Sequence, residues 1–165
     1  MALSDSNIVS LERYRSSSPA SREVTRDEQG LSKQLPVPKW EGGLREQLNR
    51  LLQLKQGWDN GRARPVDPFV AGFADYLLHY VWPIDGMTPF VAPTCYGGVQ
   101  LEWRLPNFEL EIEIVRRHHV VVLAFDNETE EEVEFTCQHD LTKLFSVVAD
   151  FAVRAESFNN AATAA

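Results

Sequence analysis

In two segments, Val99 to Arg104 and Glu109 to Ile114, apolar and polar residues alternate with a period of two, and this pattern constrains the fold more than any other part of the chain. Val99, Leu101 and Trp103 alternate with Gln100, Glu102 and Arg104. Leu110, Ile112 and Ile114 alternate with Glu109, Glu111 and Glu113. Successive side chains of a strand point to opposite faces, so each segment reads as a strand with one face in a core and one in water. Leu105-Pro106-Asn107-Phe108 reads as a hairpin connection between them. Val120 to Phe125 is continuously apolar and reads as a central strand covered on both faces. Asp126-Asn127-Glu128 is a turn signal, Val133 and Phe135 mark a further strand, and Phe90-Val91 marks a preceding one. Short links between consecutive strands predict an antiparallel meander of four or five strands.

Helical spacing appears on either side of this run. Leu44, Leu48, Leu51 and Leu52, with the stem of Lys55, predict a helix over 42–55 with Gly57 as its C-terminal glycine. A second helix starts at Asp67-Pro68, an N-cap residue followed by the proline that suits the first helical position. Phe69, Phe73, Leu77 and Tyr80, with Val70, Ala74 and Val81, give it a broad apolar face, and Trp82-Pro83 ends it. A third starts at Asp140, with Leu141, Leu144, Phe145, Val148, Phe151, Ala152 and Ala155 as its stripe. The expected fold class is α+β: an antiparallel meander with two N-terminal helices and one C-terminal helix on one face.

A chain of 165 residues, 44% hydrophobic, has room for one ordinary domain. Residues 1–39 differ from the rest, with Ser16-Ser17-Ser18-Pro19 and the proline-bounded Gln34 to Pro38. They read as a flexible arm before a body over 40–158, with a frayed tail over 159–165. Within the arm, Ile8, Val9, Leu11 and Tyr14 make one apolar side of a short segment that could fold on a partner. No apolar run approaches about 18 residues and the N-terminus has no signal-peptide core, so the expectation is a cytoplasmic protein with no membrane partner.

Charge narrows the partners. Residues 1–39 carry a net +1 and residues 40–165 a net −9, for −8 overall. A body this acidic repels phosphate backbones, so direct nucleic-acid binding by it is not expected. Binding to a basic protein surface is permitted, and the wet face bearing Glu109, Glu111 and Glu113 is the candidate docking surface.

Motifs for catalysis or metal binding are scarce. Cys95 and Cys137 belong to no CxxC pair and read as buried, reduced thiols. His118 and His119 are neighbours, and on a strand they would face opposite ways. No G-x-S-x-G elbow, phosphate-binding glycine loop or HExxH helix occurs. No catalytic residue, metal or cofactor is expected.

Two glycine-flanked tryptophan signatures stand out, Gly57-Trp58-Asp59-Asn60-Gly61 and Gly97-Gly98-Val99-Gln100-Leu101-Glu102-Trp103. One reading makes the tryptophans anchors of helix against sheet, with Asp59 capping its turn. The other makes Trp58, Asp59, Arg62, Arg64, Glu102 and Trp103 the lining of a pocket for a small molecule or peptide. Arg62 and Arg64 would pair with Asp59, Asp67 or Glu102, or hold a small anion. A carboxylate-dependent enzyme would need Asp59 and Glu102 in one cleft.

From Gly57 to Pro65 and from Val91 to Trp103 the chain resembles a group of small, mostly uncharacterised bacterial proteins. These carry a GWDGxGAxP turn after a leucine-rich helix, then P(T/S)xDGGxxLEW and LEIEI strands. Here the last is Leu110-Glu111-Ile112-Glu113-Ile114, Asn60 replaces the usual glycine, and Cys95-Tyr96 replaces the usual polar pair. The likeness covers roughly residues 44–125 and implies an accessory role in a mobile-element, defence or toxin–antitoxin setting. The expected function is a non-catalytic protein-interaction module, in one form an antitoxin- or immunity-like neutraliser. A small-molecule or peptide-binding domain and a small carboxylate-dependent enzyme are the alternatives. The oligomeric state stays open at this level.

Overall fold

The computed structural model describes residues 25–26, 32–33, 36–83 and 85–163. The chain divides into two units, Met1–Val37 and Pro38–Ala165. In the first, β1 (Thr25–Arg26) pairs antiparallel with β2 (Ser32–Lys33), Thr25 opposite Lys33.

The second unit runs α1 (Glu41–Leu51), α2 (Pro68–Val81), β3 (Phe90–Pro93), β4 (Val99–Arg104), β5 (Phe108–Arg116), β6 (His119–Asp126), β7 (Glu131–Cys137) and α3 (Thr142–Thr163). Strands β3 to β7 form one antiparallel sheet in chain order, each beside its predecessor. This is the α+β meander, with five strands. The alternation on β4 and β5 becomes strict burial: Val99, Leu101, Trp103, Leu110, Ile112 and Ile114 are all in the core, and the residues between them are not. Pro106 and Asn107 form the two-residue β4–β5 turn, closed by Leu105 N donating to Phe108 O at 2.8 Å.

The helices lie on that core face. Asp67 accepts from Phe69 N at 2.8 Å and Pro68 opens α2 as its first residue. The buried residues of α2 are Val70, Ala71, Phe73, Ala74, Leu77, Leu78 and Val81, and Phe69 and Tyr80 are left outside. The broad face expected from the sequence is therefore rotated: a helix with apolar residues around most of its circumference does not specify which side meets the sheet. On α3, Leu144, Val148, Phe151 and Ala155 are buried while Phe145 is exposed, and the helix continues past Ser157 to Thr163.

Helix α1 ends at Leu51, four residues short of the expected 55: Leu52 N still bonds to Leu48 O, but Gln53 and Leu54 turn away through tighter bonds to the Arg50 and Leu51 carbonyls. Gly57 is not its C-terminal residue. With φ of 77° its N–H reaches Ala63 O at 2.8 Å, closing the 57–63 loop. Leu52 is exposed rather than on the buried face with Leu44 and Leu48. The side-chain amide of Gln47 accepts from Val91 N at 3.0 Å and donates to Pro89 O at 2.9 Å, so α1 occupies hydrogen-bonding groups of the edge strand β3. Glu41 of α1, itself buried, lies 2.6 Å from Arg45, which with His79 joins α1 to Asp75 of α2.

An aromatic cluster centres the core. Trp82 stacks on Trp103 with ring centres 4.1 Å apart, and Phe151 packs against Trp82, Trp103 and Phe108 at 5.6–6.4 Å. Both indole N–H groups donate to Met87 O at 3.0 Å, using the two lone pairs of one carbonyl. Trp40 donates to Pro83 O at 2.7 Å.

The far end of the sheet is tied by Asp126. Its Oδ1 accepts from Glu128 N at 2.9 Å and Thr129 N at 3.1 Å, and its Oδ2 from Arg154 of α3 at 2.8 Å, while Arg154 lies 4.4 Å over the Phe108 ring. The Thr129 and Glu128 N–H groups, with Arg154 beside them, hold the Asp126 carboxyl below its ordinary range. A carboxyl acidified by folding adds stability above its unfolded pKa of about 4, and that stability is lost as pH falls through the lower folded value. Asp126→Asn is expected to lower the urea midpoint at pH 7, with the deficit shrinking as pH drops below about 4. A deficit that stays constant from neutral to strongly acidic pH would contradict this account.

Candidate functional site

The sheet face away from the helices is built by the alternate residues of β4 to β7. Register places Arg104, Glu109, Phe125 and Glu132 in one row across the strands, Glu102, Glu111, Leu123 and Glu134 in the next, and Gln100, Glu113, Val121 and Thr136 in the third. Six of these are glutamates and one, Arg104, is a cation. Down the middle runs the outward half of β6: Val121, Leu123 and Phe125, each half-buried.

The expectation that Val120 to Phe125 is covered on both sides is therefore corrected. Val120, Val122 and Ala124 meet the core; Val121, Leu123 and Phe125 are half-buried on the opposite face, away from the helices of the described residues. A continuous apolar run cannot distinguish a second packed layer from an open face awaiting contact, since both bring the same residues to the strand. A shallow pocket opens here, lined by Glu102, Arg104, Glu109, Glu111, Leu123 and Phe125 together with the backbones of Trp103 and Leu110.

The electrostatics of the face are unfavourable to itself. Glu102 and Glu111 stand directly opposite on adjacent strands, an arrangement that destabilises a sheet. Gln100 Nε2 donates to Glu102 at 3.0 Å, and Arg104 lies 3.6 Å from Glu102 and 3.7 Å from Glu109. Burial first, then repulsion from Glu102 and Glu113, raises the Glu111 carboxyl above its ordinary range, against smaller opposing effects of Gln100 and Arg104. A cation placed over Glu111 would offset the repulsion from Glu102 and Glu113.

The other candidate residues lie elsewhere. Trp58 donates its indole N–H to Arg64 O at 3.0 Å, and Asp59 Oδ1 accepts from Gly61 N at 2.8 Å and Ala63 N at 3.1 Å. Both side chains thus close their own loop. Trp103 is buried against Trp82 and Phe151, and Glu102 points to the opposite sheet face. The structure does not bring Trp58 together with Trp103, or Asp59 together with Glu102. Arg62 and Arg64 are exposed, and the expected partners are engaged otherwise: Asp59 within its loop, Asp67 at the α2 N-terminus, Glu102 with Gln100 and Arg104.

What the two signatures do share is backbone. Arg64 N donates to Cys95 O at 2.9 Å and Asp67 N to Gly97 O at 3.0 Å, zipping the first loop against the second. Ile8, Val9, Leu11 and Tyr14 fall outside the described residues.

The remaining reactive groups are quiet. Cys95 is exposed, not buried as expected, because its loop lies on the surface; Cys137 is buried, and burial pushes its thiol up. Burial, with Arg117 and His139 nearby, pushes His118 down, and its ring lies edge-on to Phe73 at 5.1 Å. Among the described residues no group of three or more His, Cys, Asp or Glu is placed to hold a metal ion. No helix among them is long and apolar enough to cross a membrane.

The fold and face define a class: an α+β domain whose meander carries helices on one side and presents an acidic surface with an apolar ridge on the other. No family model, curated protein or solved structure matches the chain.

Proposed function

We propose that the chain is a non-catalytic protein-interaction module that docks a basic partner on its uncovered sheet face. One observation carries this reading: the ridge Val121, Leu123 and Phe125 stands between two rows of glutamates on the sheet face opposite the described helices. A partner segment with an apolar line flanked by Lys or Arg fits it twice over. The ridge gains by losing water, and the glutamates, six against the single cation Arg104 on this face, gain further counter-charges. A neutraliser that occludes a basic active site, as an antitoxin or immunity protein does, is one concrete form, and an accessory component of a defence or mobile-element system is the broader one. The N-terminal residues Ile8, Val9, Leu11 and Tyr14 are proposed as a second contact with the same partner.

The test is affinity capture from the native host with the full chain as bait, beside the triple variant Glu109→Lys, Glu111→Lys and Glu113→Lys. The wild type is expected to retain a basic protein whose binding falls at least tenfold in the variant and weakens with added salt. Equal retention by both baits would sink the reading. These three side chains are all on the uncovered face, so the variant keeps the core that circular dichroism reports.

A further inference from the structure

The two edges of the five-stranded sheet are finished differently. At one, β3 is four residues long and ends in Pro93, and the Gln47 amide of α1 takes up its Val91 N–H and the neighbouring Pro89 carbonyl. At the other, β7 runs seven residues, Glu131–Cys137, without a proline. Alternate residues of an edge strand turn their N–H and C=O groups away from the sheet. Among the described residues, none hydrogen-bonds to those outward backbone groups of β7. Glu131, Glu132, Val133, Glu134 and Thr136 are exposed, so the strand is open along most of its length.

We propose that a basic partner pairs with the outer edge of β7, adding to the sheet an extended segment in which Lys or Arg alternates with apolar residues. This rests on the reading that the chain docks a basic partner, and it names the backbone that the partner takes up. Strand addition draws affinity from main-chain hydrogen bonds and specificity from alternate side chains. Both faces of β7 specify those side chains. Glu132 and Glu134 lie on the acidic face, in rows with Phe125 and Leu123. Val133 and Phe135 lie on the helix side, opposite Ala124 and Val122, and Val133 is 41% exposed. An added strand in register sets cations beside the two glutamates and apolar side chains beside Val133 and Phe135, both of them favourable cross-strand pairs.

Charge selects this occupant over a second copy of the chain. Two β7 strands pairing antiparallel with Val133 at the centre would set Glu132 against Glu134 twice, and with Glu134 at the centre would set that residue against itself. Like charges directly opposite destabilise a sheet. A body with a net −9 over residues 40–165 also repels its own copy at longer range. The edge glutamates thus guard β7 against acidic strands and against itself, and leave it open to a strand of opposite charge.

The probe is a synthetic peptide, acetyl-Lys-Val-Lys-Val-Lys-Val-Lys-amide, titrated into the full chain. Its control is the same peptide N-methylated at every backbone nitrogen, which keeps the charges and removes the donors. The unmodified peptide is expected to bind with a Kd below about 100 μM and the control at least about tenfold more weakly. Alternate amides of β7 should exchange with solvent at least about tenfold more slowly once the peptide is bound. The double variant Glu132→Lys with Glu134→Lys should weaken binding about tenfold with an unchanged far-ultraviolet circular dichroism spectrum, because both side chains are exposed. No binding, equal binding of the two peptides, exchange that slows elsewhere than β7, or a variant that binds as wild type would each overturn the proposal. So would β7 amides already protected in the free chain, which would mark an edge occupied by the chain itself or by a second copy. Retention of the native partner that falls in the β5 triple variant but not in the β7 double variant would leave docking on the acidic face standing and overturn strand addition.

Discussion

Phe151→Ala is expected to destabilise the body by about 3–5 kcal/mol, the range for deleting a fully buried phenylalanine. For a domain of this size that lowers the thermal midpoint by roughly 10–20 °C. The side chain has no exposed surface, and its ring packs on Trp82, Trp103 and Phe108 at once. Those rings come from the end of α2, from β4 and from β5, so collapse around the vacancy would have to move three elements together. The high end of the range follows, because the cost rises with the cavity that cannot close. The stacked Trp82–Trp103 pair supplies a local reporter. Its near-ultraviolet circular dichroism and fluorescence should lose intensity and shift even where the variant stays folded. A midpoint within about 4 °C of wild type would show that Phe151 does not hold this cluster.

Gly97→Ala is expected to cost about 2–4 kcal/mol, combining a strained backbone with an overpacked contact. Gly97 sits at φ 92°, where residues with a Cβ are strained, and an added Cβ would stand 2.8 Å from the Pro65 carbonyl oxygen. Neither side can yield cheaply, since both are backbone and the Asp67 N to Gly97 O bond holds them together. The effect should be local as well as global. The amides of Arg64 and Asp67, which donate to Cys95 and Gly97, should exchange with solvent faster than those of β5. Gly42→Ala is the control, because an added Cβ there meets nothing within 4 Å. If the two variants melt alike, the junction between the loops is not the constraint described.

The strands were legible in the sequence because their signal is local and strict. With a period of two, each of Leu110, Ile112 and Ile114 takes the core face once any one of them does, and Glu109, Glu111 and Glu113 follow to the other. The start of α2 was equally legible, since Asp67 and Pro68 act within one turn of chain. The end of α1 was not. Gly57 looks like a helix terminator, yet the bond that fixes it reaches forward to Ala63, and the helix had already ended at Leu51.

For the candidate site the division is sharper. That β5 has an acidic face followed from spacing. That β6 lays an apolar ridge along the same face did not, because its run of six apolar residues is compatible with cover on both sides. The tryptophan signatures looked alike as strings, but Trp58 is held by Arg64 O in a surface loop and Trp103 by Met87 O in the core. Strand alternation already required Glu102 to face away from Trp103, which separates the residues of the suggested pocket.

The sequence by itself determined the strands, the faces of β4 and β5, the class α+β and the acidity of the body. These depend on residue type and period alone. Only the tertiary structure decided which side of α2 is buried, that Val121, Leu123 and Phe125 lie on the sheet face opposite the described helices, and that the two glycine loops pair through backbone. Each of those depends on where a second element packs, and an apolar residue attracts any apolar neighbour without naming which one.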